Sequence, residues 1–195
     1  MDHSGSLHIA GLFPEEIENW LKNHRIAPYR SDQIFAWLHR KAVQSFDQMT
    51  NLPKDLIALL EEEFLSPWPL QLITARTSVD GTEKYLFALG NAAVETVLIP
   101  EEERQTICIS TQIGCAMNCS FCATGQTGYI RNLTAGEIVA QVLWVEGHLR
   151  KRGQSLSNVV YMGMGEPLAN YDEVLKSARL LNHPQGLNLG VRRLT

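Results

Sequence analysis

Three of the four cysteines in this 195-residue chain fall within eight consecutive positions, at Cys115, Cys119 and Cys122. Thiolates grouped this closely in sequence are typical ligands of a soft metal or of an iron–sulfur cluster. Disulfide pairing is the weaker interpretation, because three cysteines cannot all pair with one another and so short a loop strains the S–S geometry. The segment 115–122 therefore predicts a metal centre.

Two kinds of centre fit three clustered thiolates. Structural zinc takes four ligands, commonly as two close pairs of Cys or His. The chain has no second pair, and the plausible fourth ligands are Cys108 and His148. A cubane iron–sulfur cluster is usually held by four cysteines. With three, one iron stays open to a small molecule that carries an amine and a carboxylate. The spacing favours the iron–sulfur cluster and leaves zinc, or structural cysteines without a metal, as the alternatives.

Composition and charge bear on partners and compartment. The net charge is −4, with acidic residues in excess over 1–104 and a small basic excess over 105–195. The second part could face an anion, although solvated helix surface explains so small an excess equally well. The first residues lack a signal-peptide pattern, and no stretch approaches the ~18 apolar residues of a membrane span. With the clustered cysteines, this predicts a protein of the reducing cytoplasm with no membrane partner.

The first third of the chain predicts a small helical domain. Residues 1–12 are expected to form a loose tail. Pro14 opens a helix with acidic residues in its first turn, where carboxylates favour the positive end of the helix dipole. A second helix is expected from Ser31 and a third after Pro53, each with an apolar face at helical spacing. Residues 1–65 are thus expected to be an N-terminal helical accessory domain.

Residues 66–104 predict a β extension. The segment 66–69 contains two prolines and breaks the helical pattern. Alternating and β-branched residues then predict strands over 70–77, 83–89 and 93–99, with glycine-containing turns between them. The expected product is a short three-stranded meander.

The remainder, residues 105–195, alternates between strand and helix. The expected elements are, in chain order, a strand over 106–112, a helix capped by Thr134 and Glu137, a strand over 158–162, a helix over 172–181 and a strand over 191–195. Such alternation predicts an α/β fold with parallel pairing, in which chemistry collects at the C-terminal ends of the strands. The cysteine segment and the segment 163–167 both follow strands directly. Because so few strand–helix units cannot close a barrel, we expect this chain to be the N-terminal part of a longer protein.

Three segments together resemble one enzyme family. They are PEEER at 100–104, CISTQIGC at 108–115 and NVVYMGMGEPL at 158–168. With the cysteine spacing, they are similar to the RlmN family, dual-specificity RNA methyltransferases of the radical S-adenosylmethionine (SAM) superfamily. The resemblance implies the first part of a radical SAM partial (βα) barrel and methylation of adenine C2 in 23S rRNA and in tRNA. The related Cfr enzymes, which methylate C8 of the same rRNA adenine, remain an alternative.

The resemblance also implies cofactors and residue roles. A [4Fe-4S] cluster binds SAM at its open iron, and an electron from an external, flavodoxin-like reductant leaves a 5′-deoxyadenosyl radical. An sp2 adenine carbon is not nucleophilic, which is the physical reason to need radical chemistry. By the resemblance, the residues are the cluster ligands Cys115, Cys119 and Cys122, the SAM-binding Gly165 and Glu166, Cys108, which resolves a covalent protein–RNA intermediate, and Glu95, which accepts a proton.

Each role has a plainer alternative. Gly165 and Glu166 also fit a glycine-rich strand exit with a solvated carboxylate. A single cysteine on an apolar strand, such as Cys108, is often a small buried hydrophobe, and a lone strand carboxylate such as Glu95 usually faces solvent. Candidate phosphate contacts, with solvated helix and strand ends as the alternative, are Arg131, Arg150, Lys151, Arg152, Arg192 and Arg193.

The family carries the transferred methyl group on a cysteine near its C-terminus, and no cysteine of this chain matches that position. The polypeptide alone is therefore expected to be inactive, as one part of a monomeric enzyme that binds 23S rRNA and tRNA. A zinc-stabilised RNA-binding protein without catalysis is the alternative from another class.

Anaerobic reconstitution with iron and sulfide distinguishes the cluster from zinc. We expect a brown protein that binds both iron and sulfide, because thiolate-bound iron clusters absorb visible light. Metal and sulfide analysis of the purified protein checks this. A colourless anaerobic protein with stoichiometric zinc would support the scaffold instead.

Overall fold

The structure is a computed structural model that describes residues 8–64, 66–102 and 104–195. Its strands, in chain order, are β1 (Gln71–Thr77), β2 (Glu83–Leu89), β3 (Ala92–Pro100), β4 (Gln105–Cys108), β5 (Gln112–Gly114), β6 (Tyr129–Asn132) and β7 (Asn158–Val160). The larger sheet has the order β1-β2-β3-β4-β7, with β1 to β4 antiparallel and β7 parallel to β4. The expected meander and the parallel strand–helix–strand pairing are thus confirmed, and they share one continuous sheet.

The helices precede the sheet and alternate with its later strands. They are α1 (Pro14–Asn23), α2 (Arg30–Phe35), α3 (Lys54–Phe64), α4 (Ala123–Gln126), α5 (Ala135–Arg150) and α6 (Tyr171–Asn182). α1 begins at Pro14 as expected, and α2 begins one residue before Ser31 and continues as a π-helical turn, Ala36–Arg40. The capping box of α5 is present, since Glu137 N–H donates to Thr134 Oγ1 (3.3 Å) and Thr134 N–H to Glu137 Oε2 (2.9 Å).

Helix α5 supports the larger sheet from one side. Val94, Thr96 and Leu98 alternate along β3 as buried residues, and the Trp144 ring of α5 packs at 5.1 Å from that of Phe87 on β2. The N-terminal segment covers the opposite side of the helix, so nearly all of α5 is buried. A helix apolar on most of its surface is the expected solution for such a position. The three-part division of the chain stays a prediction; β3 and β4 pair across its second boundary.

The expected loose tail is wrong for the residues that the structure describes. Residues 8–12 include a 3₁₀ turn, Ile9–Gly11, that packs against the start of α5 at Gly136. Ile9 and Leu12 are buried in the core. Burial of two aliphatic side chains is worth roughly 1.5–3 kcal/mol each, which anchors a segment that has no periodic pattern of its own. Residues 1–7 of the expected tail lie outside the described residues.

Three expected strands are shorter than predicted or differ in form. The strand over 106–112 stops at Cys108, and its last residue begins β5 of the smaller sheet. The strand over 158–162 stops at residue 160. Residues Val191–Arg193 form a 3₁₀ turn, after which Leu194 makes a parallel bridge to Val159. Beyond these strand ends only isolated backbone hydrogen bonds continue, such as Ile109 N–H to the Val160 carbonyl and Tyr161 N–H to the Thr195 carbonyl, and they do not form a regular ladder.

His39 lies fully buried in the π-helical turn. Its ring stacks on Phe35 at 4.2 Å, and neither ring nitrogen has a hydrogen-bond partner among the described residues. Burial and the nearby His183 lower the pKa of His39 to about 3, from an ordinary value of 6.5. The folded protein therefore holds the neutral ring, whereas the unfolded chain protonates it in mild acid.

This difference predicts a loss of stability in acid. The contribution of His39 is fully present above pH 6.5 and is lost as the pH falls towards 3, with a slope of up to about 1.4 kcal/mol per pH unit. Denaturant unfolding between about pH 7 and about pH 4 measures the slope. His39→Leu, which cannot bind a proton, should show a shallower slope than the wild type; equal slopes would contradict the assignment.

Candidate metal and cofactor site

The three clustered cysteines lie in the connection between β5 and β6. Cys115 follows β5 directly, and Cys122 immediately precedes the short helix α4. The Cys122 N–H donates to the Cys119 carbonyl oxygen at 3.1 Å, which closes a tight turn between the last two cysteines. All of these thiols are free and partly exposed. The expected strand-to-cysteine-loop order is therefore present, but the loop belongs to an antiparallel hairpin that the sequence did not predict.

Two glycines form the neck of this loop. Gly114 has a φ of +73°, and a Cβ atom there would lie 1.8 Å from the Gly128 carbonyl oxygen. The same oxygen accepts a hydrogen bond from Cys115 N–H at 3.0 Å. A side chain at position 114 would therefore clash with the backbone of Gly128, which directly precedes β6. The close approach brings the two ends of the cysteine loop together.

The donor set of the loop fits an iron–sulfur cluster in its chemistry. It consists of three soft sulfur ligands, partly exposed and unpaired. Among residues 8–64, 66–102 and 104–195, no three His, Cys, Asp or Glu side chains converge in an arrangement that would hold a metal ion. Of the two candidate fourth zinc ligands, His148 hydrogen-bonds instead with Arg152 (2.7 Å), and Cys108 lies in the larger sheet opposite Val97 and Val160.

The Gly-Met-Gly-Glu-Pro segment leaves β7 and lies along residues 109–112. Gly163 N–H donates to the Ile109 carbonyl (3.0 Å), and Thr111 N–H donates to the Met164 carbonyl (2.8 Å). Gly165 has a φ of +98°, and a Cβ atom there would lie 2.6 Å from Gln112 Cβ. Glycine is therefore required at this position by both backbone conformation and space.

Glu166 is held by local contacts. Its carboxylate accepts a hydrogen bond from Leu168 N–H (3.1 Å) and so caps the 3₁₀ turn Pro167–Asn170. Its own N–H donates to the side-chain oxygen of Gln112 (2.9 Å). One carboxylate oxygen thus accepts the cap hydrogen bond, and the carboxylate can still accept further hydrogen bonds. Its role in SAM binding stays a prediction.

Gln112 joins the two motif-bearing loops. Its side-chain nitrogen donates to Asn132 Oδ1 on β6 (2.8 Å), and its side-chain oxygen accepts from Glu166 N–H. The residue is 2% exposed. A buried amide with both ends satisfied fixes the separation of the groups it joins. The cysteine hairpin and the Gly165–Glu166 loop, about 50 residues apart in sequence, therefore sit on either side of one side chain.

Two further buried amides, which sequence reasoning missed, hold residues 109–111 between the sheets. Gln141 accepts from Ser110 N–H and donates to the Ser110 carbonyl, both at 2.9 Å. Asn170 donates to the carbonyls of Thr111 (2.9 Å) and Leu133 (2.8 Å). The sequence signal for Gln141 was a single amide within the otherwise apolar run 138–145, whereas Asn170 carried no signal beyond its place after a proline.

Glu95 and Cys108 lie on one face of the larger sheet. Cys108 is directly opposite Val97 on β3, and Glu95 precedes Val97 by two residues. Positions two apart on a strand share a face, so the two side chains are diagonal neighbours on the side away from α5. Burial raises the pKa of the Cys108 thiol, an effect that a hydrogen bond with the Met162 backbone opposes. Lys84 donates to Glu95 Oε1 at 2.6 Å.

Most of the candidate phosphate-binding arginines have carboxylate partners within the protein. Arg131 donates to both oxygens of Glu137 at 2.7 Å. Arg150 pairs with Glu146 at 2.5 Å, and Arg152 pairs with Glu83. Arg192 and Arg193 are exposed in the 3₁₀ turn near the last residue. The contacts with phosphate stay a prediction, and the structure favours a structural role for the first three arginines.

Comparison with known families defines the class of protein. Residues 109–194 match the family described as "Radical SAM superfamily", and residues 7–65 match "Ribosomal RNA large subunit methyltransferase N-terminal domain". The crystal structure of a radical SAM methyltransferase from Sphaerobacter thermophilus superposes with a TM-score of 0.92 at 42% identity, over 96% of this chain and 55% of that one. Residues 109–194 thus match a superfamily whose members in general use SAM and a [4Fe-4S] cluster, and the α/β fold of the chain is confirmed.

Curated relatives identify the family within that class. The chain is 48% identical over 191 residues to the probable dual-specificity RNA methyltransferase RlmN of Thermotoga neapolitana, covering 96% of this chain and 54% of the relative. It is 47% identical over 192 residues to the dual-specificity RNA methyltransferase RlmN of Desulfosudis oleivorans, covering 93% and 51%. The chain is thus similar to RlmN proteins over nearly its whole length, and it spans about half the length of these relatives. No helix among the described residues is long and apolar enough to cross a membrane.

The glycine neck predicts a matched pair of variants. Gly114→Ala adds a Cβ at 1.8 Å from a backbone oxygen, whereas Gly128→Ala meets nothing within 4 Å although its φ is +78°. Gly128→Ala should cost about 1–2 kcal/mol from backbone strain alone, and Gly114→Ala should cost more and bind much less iron after anaerobic reconstitution. Iron analysis and thermal unfolding of both variants check this. Equal iron content in the two proteins would contradict a role for the neck.

Proposed function

We propose that this chain is the part of an RNA adenine-C2 methyltransferase that binds the cluster and SAM. The observation that carries the proposal is the buried contact of Gln112 with both Asn132 and Glu166. It holds the cysteine hairpin beside the Gly165–Glu166 loop, in a chain about half identical to proteins named dual-specificity RNA methyltransferases.

Cys115, Cys119 and Cys122 would hold the [4Fe-4S] cluster. A [4Fe-4S] cluster is usually held by four cysteines, one for each iron. With three protein ligands, one iron is left open for the amine and carboxylate of SAM. When bound, the cluster and SAM supply radical chemistry, which an sp2 adenine carbon requires because it is not a nucleophile. The compact loop and its glycine neck support this assignment. The zinc scaffold is disfavoured because His148, a candidate fourth ligand, hydrogen-bonds with Arg152 instead.

Gly165 and Glu166 would bind SAM. The absence of a side chain at position 165 allows a ligand to approach the backbone closely. The Glu166 carboxylate can accept a charge-assisted hydrogen bond from the ammonium group of SAM. Its cap contact with Leu168 N–H supports this role, because it orients the carboxylate before the ligand arrives.

Cys108 and Glu95 would act on the RNA. In the proposed reaction Glu95 accepts a proton from the substrate, and Cys108 resolves the covalent protein–RNA intermediate. Their common sheet face supports a shared substrate. Because burial raises the pKa of Cys108, its thiol is protonated at neutral pH and must lose a proton to become the nucleophile. The Cys108 thiol therefore needs a neighbouring base before it can act as a nucleophile.

The names of the relatives support 23S rRNA and tRNA as substrates and favour adenine C2 over C8. A flavodoxin-like one-electron donor, a monomeric state and a cytoplasmic location complete the proposal. Methyl transfer itself further requires the methyl-carrying cysteine of the family, which the described residues do not contain.

Nucleoside analysis of rRNA and tRNA from a strain that lacks the complete gene tests the proposed function. We expect loss of 2-methyladenosine, restored by the wild-type gene and by Ser120→Ala, which changes an exposed residue of the same loop. Cys119→Ala should not restore it, because one cluster ligand is missing. An unchanged level of 2-methyladenosine would reject the proposal, and loss of 8-methyladenosine instead would favour C8 methylation.

A further inference from the structure

The sheet face that carries Glu95 and Cys108 also carries two cations. Arg76 on β1 pairs with Lys84 on β2, Lys84 pairs with Val97 on β3, and Val97 pairs with Cys108 on β4. Residues directly opposite one another in neighbouring strands point to the same face. Arg76, Lys84 and Cys108 therefore lie in one row across the sheet. At about 4.8 Å per strand, the backbone of Lys84 is about 10 Å and that of Arg76 about 14 Å from that of Cys108.

The charges in this row are not balanced. Like charges directly opposite one another on neighbouring strands destabilise a sheet. Lys84 donates to Glu95 at 2.6 Å, whereas Arg76 forms no ion pair with any of the residues that the structure describes. One carboxylate thus faces two cations. An anion bound between them would relieve their repulsion.

The two cations line a depression of suitable shape. Its volume is about 260 Å³, and its walls are Thr74, Arg76, Lys84, Leu86 and Glu95. The Lys84 and Glu95 side chains are 50% and 44% exposed, and every residue of β1 is exposed. The depression is therefore open to a ligand as large as a polymer backbone, and its Thr74 hydroxyl adds a neutral hydrogen-bond donor.

Three of the candidate phosphate-binding arginines are less available to a substrate. Arg131, Arg150 and Arg152 form ion pairs with Glu137, Glu146 and Glu83. Their carboxylate partners are almost fully buried, and removing the cation from a buried carboxylate is strongly unfavourable. These arginines are thus held in place, whereas Arg76 has no ion pair with any described residue.

We propose that Arg76 and Lys84 form a phosphate-binding step that positions the RNA on the face shared by Glu95 and Cys108. The inference rests on the proposed function for the identity of the substrate. Arg76 supplies the unshared charge, and its planar guanidinium can hold a phosphate with two parallel hydrogen bonds. Lys84 lies between the phosphate and Glu95, so it offsets the repulsion between these two anions. The bound phosphate would lie about 10–14 Å from Cys108 along the row, so it positions the RNA strand on the sheet face that carries Cys108.

Substitutions at the step should leave the fold intact. An exposed ion pair such as Lys84–Glu95 contributes little to stability, and Arg76 has no ion pair within the described part of the chain. Lys54, exposed in the first turn of α3, provides a matched control. It lies in the N-terminal helices rather than on the larger sheet, so Lys54→Gln removes a positive charge outside the proposed step.

The test measures RNA binding by the complete protein with its cluster reconstituted. The probe is a fluorescein-labelled, unmodified tRNA transcript, followed by anisotropy over a series of KCl concentrations. Arg76→Gln and Lys84→Gln should each bind about five- to tenfold more weakly at ~0.1 M salt and lower the slope of log affinity against log salt by about 0.7–0.9. Lys54→Gln should match the wild type in both quantities.

Methylation kinetics separate the two residues. Arg76→Gln should raise KM and leave kcat unchanged, because saturating RNA replaces the lost contact. Lys84→Gln should also lower kcat, since Glu95 loses its partner, and Lys84→Arg should restore most of the binding. Tight binding by both Gln variants with the wild-type salt slope would overturn this inference alone. A wild-type protein that binds neither tRNA nor 23S rRNA would overturn the proposed function and this step together.

Discussion

The contact between Gln141 and the peptide groups of Ser110 is the constraint on which the site depends. Residues 109–111 leave one sheet and have not yet entered the next. Ile109 N–H still bonds to the Val160 carbonyl of β7, but the peptide groups of Ser110 have no backbone partner among the described residues. A buried peptide group without a hydrogen bond costs about 1–3 kcal/mol. Gln141 satisfies both the N–H and the carbonyl of Ser110 from the buried side of α5. The chain can therefore pass between two sheets inside the protein, and both motif-bearing loops start from that passage.

Helix α5 can hold this position because its ends are fixed by buried carboxylates. Glu137 caps the first turn and accepts two hydrogen bonds from Arg131. Glu146 accepts from Arg150 and from the Leu156 N–H at 2.7 Å, which ties the last turns of the helix to the segment that leads into β7. A buried carboxylate is tolerated only when such donors surround it. The basic residues of the second half are thus used to hold the helix against the sheet.

The two faces of the larger sheet have separate uses. One face packs against α5 through residues such as Tyr85, Phe87 and Val94, which are fully buried. The other presents Lys84, which is exposed, together with Glu95 and Cys108, which are only partly buried. Since strand residues alternate between faces, a single stretch of β2 or β3 encodes both the core and the reactive surface. The charged groups of that surface come from the acidic first half of the chain, although the basic excess lies in the second half.

The sequence by itself determined the features that depend on a few neighbouring residues. Pro14 and the Thr134–Glu137 box start their helices because caps act within one turn, and the spacing of Cys115, Cys119 and Cys122 restricts the chemistry of their loop before any fold is known. Only the tertiary structure decided that the strand ends at Cys108 rather than at residue 112, since Ile109 and Ile113 continue the same alternation. It also decided that Arg131 meets Glu137, and that Glu95 and Cys108 share a face. Ladder partners, ion pairs and buried amides join residues tens of positions apart, and no local pattern encodes which distant group will be in reach.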